Sequence, residues 1–232
     1  MKFGVVTFPG SNCDQDMIYV LEDLMGQEVE RLWHKDTDLK GVDFVVLPGG
    51  FSYGDYLRSG AIAKLSPIMG EVIKHANNGG YVLGVCNGFQ ILTESGLLEG
   101  ALLHNNNQKF ICKNVYLKPA SSSAAITKDL EQDASYKIPI AHGEGRFFAE
   151  PEVIEKLKAN DQVLFQYCTE EGEVTEDVNP NGSVDGIAGI CNEGKNVFGM
   201  MPHPERAADS DLSNTDGKRM SVSYTHLRAH ET

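Results

Sequence analysis

The chain has no run of about 18 apolar residues, so nothing in its 232 residues predicts a membrane span. Cysteine is scarce. The five residues Cys13, Cys86, Cys112, Cys168 and Cys191 are odd in number, widely spaced and without a C-x-x-C pair. This argues against a disulfide framework or a zinc knuckle and for a reducing, cytoplasmic setting. Basic residues are also short: 20 Lys+Arg stand against 33 Asp+Glu, a formal net charge of -13. Such a surface repels polyanions, so neither nucleic acid nor an anionic membrane is an expected partner. The N-terminal apolar stretch is short, breaks at Pro9-Gly10 and lacks a small-residue cleavage pattern, so no signal peptide is expected. No G-x-x-x-x-G-K-[ST] occurs, and Gly143-Glu144-Gly145 does not lead from a strand into a dinucleotide fingerprint. The chain is therefore not expected to carry the nucleotide chemistry of a ligase by itself, and no metal site is expected in it.

What is present is an ordinary globular composition, 41% hydrophobic and 23% charged, long enough for one sizeable core. Apolar runs at Lys2–Thr7, Asp43–Leu47 and Tyr81–Val85 read as buried strands, with a weaker one at Glu28–Trp33. Helical spacing joins Met17, Val20, Leu21, Leu24 and Met25 up to Gly26. It also joins Ile62, Leu65, Met69, Val72, Ile73 and Ala76, and marks a short helix at Phe89–Leu92. This order predicts an α/β fold with a mostly parallel sheet and helices on both faces. The second half is richer in strands: Phe110–Leu117, Lys137–Ala141, Gln162–Cys168, Gly186–Cys191 and Asn196–Met200, with a helix near Pro151–Ala159. Ser121–Ala125 and Thr169–Pro180 read as loops, the acidic part of the latter as a solvated hairpin tip.

Gly84-Val85-Cys86-Asn87-Gly88 has the form G-x-nucleophile-x-G between an apolar strand and a helix. Small flanking residues suit a strained turn that thrusts the side chain out at the carboxyl end of a sheet. The following helix aims its positive end at the sulfur and favours thiolate. A buried structural cysteine is the plainer reading of the motif alone. Pro202-His203-Pro204-Glu205 supplies a base and an acid two residues apart. In extended backbone both point to one side, so the carboxylate can fix the imidazole tautomer. Cys86, His203 and Glu205 then form a nucleophile, a base and an orienting group. Gly49-Gly50, at the end of another strand, lets backbone N–H groups approach an oxyanion, with the Asn87 N–H as second donor. Cys112, Cys168 and Cys191 read as core strand residues. His34, His75 and His104 read as surface polar residues.

Cys86 through Gln90 together with the Pro202–Glu205 segment resembles a class I, triad-type glutamine amidotransferase domain. Phe8 to Asp14, Leu47 to Ala61 and Ile140 to Phe147 narrow the resemblance to the separate glutaminase subunits of phosphoribosylformylglycinamidine synthases. It covers residues 1–220. The resemblance implies a three-layer, flavodoxin-like α/β fold and hydrolysis of L-glutamine to glutamate and ammonia. It implies that Gln90, His142, Gly143 and Glu144 help to seat glutamine. It further implies two partners, a large synthetase subunit and a small accessory one. ATP and magnesium would sit on the large partner, with no cofactor in this chain. A triad glutaminase subunit of another synthetase is the alternative. A cysteine hydrolase on a similar sheet is disfavoured by Glu205 as third member. Residues 221–232 depart from the family, which ends in an apolar or aromatic helix, and read as a non-native or disordered tail.

Overall fold

The structure, a computed structural model, describes residues 1–227. Strands β1 (Lys2–Thr7), β2 (Glu28–Trp33), β3 (Phe44–Leu47) and β4 (Tyr81–Val85) pair in parallel in the order β2-β1-β3-β4. All residues of β3 and β4 are buried. A strand can be apolar on both faces only when both faces are covered. Helices α1 (Asp14–Tyr19), packed on β1, and α2 (Pro67–Asn77), packed on β4, lie over the sheet, and the helix that follows β4 covers β3 and β4. The β1-α1-β2 crossover moves one way along the sheet and β3-α2-β4 the other. With right-handed crossovers this puts the two helices on opposite faces.

The sheet continues past β4 through β11 (Val197–Met200), β10 (Ile187–Cys191), β9 (Val163–Cys168), β6 (Ile111–Pro119) and β7 (Tyr136–His142), nine strands in all. Strand β11 is parallel to β4, and every later pairing is antiparallel. A small ribbon of β5 (Ala101–Leu103) and β8 (Arg146–Phe148), absent from the sequence reading, stands apart. Helix α3 (Asn87–Glu94) follows β4, and α4 (Pro151–Ala159) spans the range expected for it. The first helix is shorter than its apolar spacing suggests. After Tyr19 the turns widen over Val20–Leu24 before Gly26 (φ 63°) ends them. Helix α2 begins at Pro67, whose fixed φ suits a first helical position, so Ile62 and Leu65 lie in a separate turn before it.

Three expectations are corrected. Cys112 lies in β6 but is exposed, because one face of this antiparallel edge region meets solvent. Cys168 and Cys191 are buried in strands as read. His34 is buried, not superficial: Tyr53 Oη lies 2.6 Å from its Nδ1, and the rings meet edge to face. His75 is half-buried over Gly80, where a Cβ would come within 2.3 Å of its ring. The third correction concerns the C-terminal segment. Residues 221–225 are not a loose tail, because they complete α5 (Asp216–Thr225). Tyr224 is fully buried, its hydroxyl donating to Ser221 Oγ at 2.9 Å and its ring 6.1 Å from that of Phe44. Leu227 is buried beyond it. The spacing Met220–Tyr224–Leu227 is a helical face, which a reading broken at Ser221 divides. Residues 228–232 of the expected tail lie outside the described part.

Candidate active site

Strands β3, β4 and β11 are neighbours that end in register, with Leu47 opposite Gly84 and Val85 opposite Met200. Their carboxyl-end loops therefore meet. The loop after β4 is one residue long. Cys86 takes φ 50° and ψ -105°, and Asn87 opens α3 at once. A non-glycine residue at positive φ is strained, as a nucleophile elbow requires. Packing dictates the flanking glycines. A Cβ on Gly88 would lie 1.9 Å from the Leu47 carbonyl oxygen, and one on Gly84 2.6 Å from the Gly88 backbone. Cys86 N–H donates to Met200 O at 2.7 Å, which ties the elbow to β11.

Three residues past Met200, His203 Nδ1 lies 2.6 Å from Glu205 Oε1. The backbone is not extended here. Pro204 opens a short turn over Pro204–Ala207, for which its φ is pre-set, and Glu205 reaches the imidazole from inside that turn. Both residues are buried, at 2% and 3% exposure. Burial opposes charge on the imidazole. The Glu205 carboxylate and the Cys86 sulfur outweigh it and hold His203 well above its ordinary range. His203 Nε2 is buried without a hydrogen-bond partner. The Cys86 thiol instead donates to Ala141 O at 3.7 Å, on β7, which curls back over the elbow. His203 N–H donates to Pro139 O on the same strand at 2.9 Å. Gly49 makes room for the imidazole: a Cβ there would lie 2.6 Å from His203 Cε1.

In front of Cys86 is a cavity of about 140 Å³. Of the residues singled out in the sequence, Gly50, Cys86, Gln90, His142, Gly143 and Glu144 line it. His203, Glu205 and Asn87 do not. The Asn87 side chain lies behind the wall, accepting from Ser52 N–H at 3.2 Å and donating to Gln90 Oε1 at 2.9 Å. Gln90 in turn donates to the Glu144 carbonyl at 2.6 Å. His142 is held at Nδ1 by Asn105 Oδ1, 3.0 Å away. Burial, reinforced by the positive charge of His203, pushes His142 down to about 4, so it is neutral at physiological pH.

Sequence reasoning missed Asp55, Ser59, His104 and Phe110, which also line the cavity. Asp55 is pushed up to about 6 by burial, with Glu144 adding to the rise. Ser59 N–H donates to Glu144 Oε2 at 3.2 Å. His104 is exposed as expected, yet it has a partner: its Nε2 is 3.5 Å from Glu144 Oε1. Asp55 and Ser59 sit in the Leu47–Ala61 stretch that carries the resemblance, and that was their only signal. Cys13 was missed as well. It is buried against the far side of His203.

Comparison with known proteins accords with this geometry. A CobB/CobQ-like glutamine amidotransferase domain matches residues 1–225. The phosphoribosylformylglycinamidine synthase subunit PurQ of Acaryochloris marina is 54% identical over 217 residues, 94% of this chain and 92% of the relative. Its counterpart in Synechocystis sp. is 55% identical over 222 residues, 96% and 99% of the two chains. Among solved structures, PurLQS from Thermotoga maritima contains a chain with TM-score 0.85 and 41% identity, covering 98% of this chain and 99% of that one. A glutamine amidotransferase from Thermotoga maritima, at 15% identity and TM-score 0.55 over 97% of this chain and 82% of that one, shares the fold. This chain belongs to the PurQ family, the glutamine amidotransferase subunits of phosphoribosylformylglycinamidine synthase, and has their class I α/β fold.

Proposed function

We propose that Cys86, His203 and Glu205 are the catalytic residues and that they hydrolyse L-glutamine in the cavity before Cys86. The Cys86 sulfur attacks the side-chain amide carbon. His203 Nε2 takes the thiol proton, Glu205 and the resulting thiolate favour the imidazolium so formed, and that imidazolium returns a proton to the departing ammonia. Glu205 keeps the Nδ1 proton in place, so that Nε2 faces the sulfur. Backbone N–H groups at Gly50 and Asn87 stabilise the oxyanion. Water then hydrolyses the glutamyl thioester to glutamate, with His203 again as base. Gln90, His142, Gly143 and Glu144 seat the amino-acid end of glutamine. The observation that carries this reading is the meeting of a strained elbow cysteine with a buried His203–Glu205 pair 2.6 Å apart. No cofactor is needed for this hydrolysis.

The names of the relatives extend the reading. The ammonia passes to a large ATP- and magnesium-dependent subunit, which converts formylglycinamide ribonucleotide to formylglycinamidine ribonucleotide in purine synthesis. A small accessory subunit completes the complex, in the cytoplasm. We take residues 1–220 as the amidotransferase domain, with the rest of α5 packed on it. Among the described residues no helix is long and apolar enough to cross a membrane. Glutamate release from glutamine by the reconstituted complex tests the triad. His203→Ala and Cys86→Ala should each reduce it by about a million-fold, in line with losses at other triads. Wild-type release in either variant would overturn the assignment.

A further inference from the structure

Cys13 is a buried thiol beside the proposed triad that the chemistry leaves unused, its Sγ donating to Asn12 Oδ1 at 3.1 Å. It ends the loop after β1, where its N–H donates to Gly49 O at 3.3 Å. Its Sγ, an imidazole nitrogen of His203 and a carboxylate oxygen of Glu205 all lie within 4.8 Å of one another. The three residues are 2%, 2% and 3% exposed. Sγ and Nδ1 border one point beside Gly49, where a Cβ would be 3.0 Å from the first and 3.3 Å from the second.

Two further observations point to a cation. Glu205 Oε2 is buried with no hydrogen-bond partner. A carboxylate oxygen without water, donor or cation is costly to bury. Glu205 also lines a second cavity of about 380 Å³, with Asp16, Tyr19, Arg206, Asp209 and Leu212. The glutamine cavity does not include Glu205. The second cavity thus approaches Glu205 by a separate, acidic route, and the cation on its wall, Arg206, is tied to Asp16 at 3.0 Å.

A thiolate, an imidazole and a carboxylate are a donor set that suits Zn²⁺. We propose that Cys13, His203 and Glu205 form an inhibitory site for a thiophilic divalent cation, Zn²⁺ above all. The metal takes Cys13 Sγ, His203 Nδ1 and Glu205. The thiol proton leaves to solvent, the hydrogen bond of Nδ1 to Glu205 gives way to the metal, and the imidazole changes tautomer, losing its proton at Nδ1 and taking one up at Nε2, so that the ring stays neutral. An imidazole with metal on Nδ1 and hydrogen on Nε2 has no lone pair for the Cys86 proton, so glutamine hydrolysis stops. The inhibition rests on the proposed role of His203; the metal site does not.

The test separates the two. The full-length chain is used with Cys112→Ser in every variant, which removes the exposed thiol. Co²⁺ titration should give a near-ultraviolet thiolate-to-cobalt band in the Cys86→Ala variant and none in Cys13→Ser. In the reconstituted complex, Zn²⁺ should inhibit glutamine hydrolysis, and a chelator should reverse it. Cys13→Ser should keep its turnover while the half-inhibiting Zn²⁺ concentration rises about 10–100-fold. A band lost in Cys86→Ala but kept in Cys13→Ser would overturn the site, as would unchanged Zn²⁺ sensitivity in Cys13→Ser. A Cys13-dependent band without inhibition would uphold the site and refute His203 as the base.

Discussion

Gly88→Ala places one methyl group where the structure has no room. The added Cβ would lie 1.9 Å from the Leu47 carbonyl oxygen and 2.7 Å from its carbon. Both are backbone atoms, so neither can turn away. Ordinary contact begins near 3.4 Å, so α3 and the end of β3 must separate by about 1.5 Å, more than the roughly 1 Å that upsets a reacting geometry. Helix α3 carries the Asn87 N–H and starts from Cys86, while β3 leads into Gly49-Gly50. The displacement therefore widens the space between Cys86, the proposed nucleophile, and one of its proposed oxyanion donors. Overpacking of this kind costs about 1–3 kcal/mol of stability. A misplacement of about 1 Å costs about 100-fold in rate, so kcat/KM should fall by at least that, about 2.7 kcal/mol of transition-state stabilisation. Urea melts give the first quantity, and glutamine hydrolysis, assayed where the variant is folded, gives the second. Gly70→Ala is the control: its Cβ meets nothing within 4 Å on α2, and helix propensity favours alanine by about 1 kcal/mol. Wild-type kcat/KM in Gly88→Ala would refute the claim that this glycine sets the elbow's position.

Three other outcomes follow from the same structure. Burial holds His142 down at about 4, against 6.5 when unfolded, so the unfolded chain binds the extra proton and stability falls as pH drops from 6.5 to 4. The loss is about 3 kcal/mol, and His142→Gln should flatten that window in urea melts taken at several pH values. Asp55, raised to about 6, acts with the opposite sign, being most favourable below its unfolded pKa and losing its contribution as pH rises through 6, so the difference between variant and wild type isolates His142. A chain ending at Met220 loses the buried Tyr224 and should be about 3–5 kcal/mol less stable, by analogy with aromatic truncations in cores; an unchanged melt would show that α5 contributes nothing past Met220. A glutamine-like chloroketone should label Cys86 first, since burial pushes the Cys168 and Cys191 thiols up to about 11 and about 12. A plain alkylating agent should instead find exposed Cys112, and peptide mapping distinguishes the two patterns.

Much of the fold was legible because β1, β3 and β4 are short, largely apolar runs bounded by glycine or proline, whereas β2, with Glu28, Glu30 and Arg31, is a weaker signal. Lys2–Thr7, Glu28–Trp33 and Tyr81–Val85 match the strands residue for residue. The ribbon of β5 and β8 was not legible, since three-residue strands carry no periodicity. Of the candidate site, the residues on strained or proline-bounded turns were visible: Cys86 between glycines, and His203 and Glu205 beside prolines. Asp55, Ser59 and Cys13 were not, because their roles come from loops that the strand order brings together. The Ser11–Gly50 bridge joins the loops after β1 and β3, and no local pattern announces it. Cys112 misled for a related reason: alternation along β6 is blurred by a run of polar residues, and the sequence does not say which face is covered.

The central claim is that Cys86 makes ammonia for a reaction completed elsewhere, and amidine formation by the reconstituted ATP-supplied complex tests it most directly. Cys86→Ala should form no amidine from glutamine and should form it at the wild-type ammonia-dependent rate from ammonium chloride at raised pH, where more free NH₃ is present. Glutamine-dependent amidine formation by Cys86→Ala, or failure of ammonia to rescue a complex shown intact by gel filtration, would contradict the account.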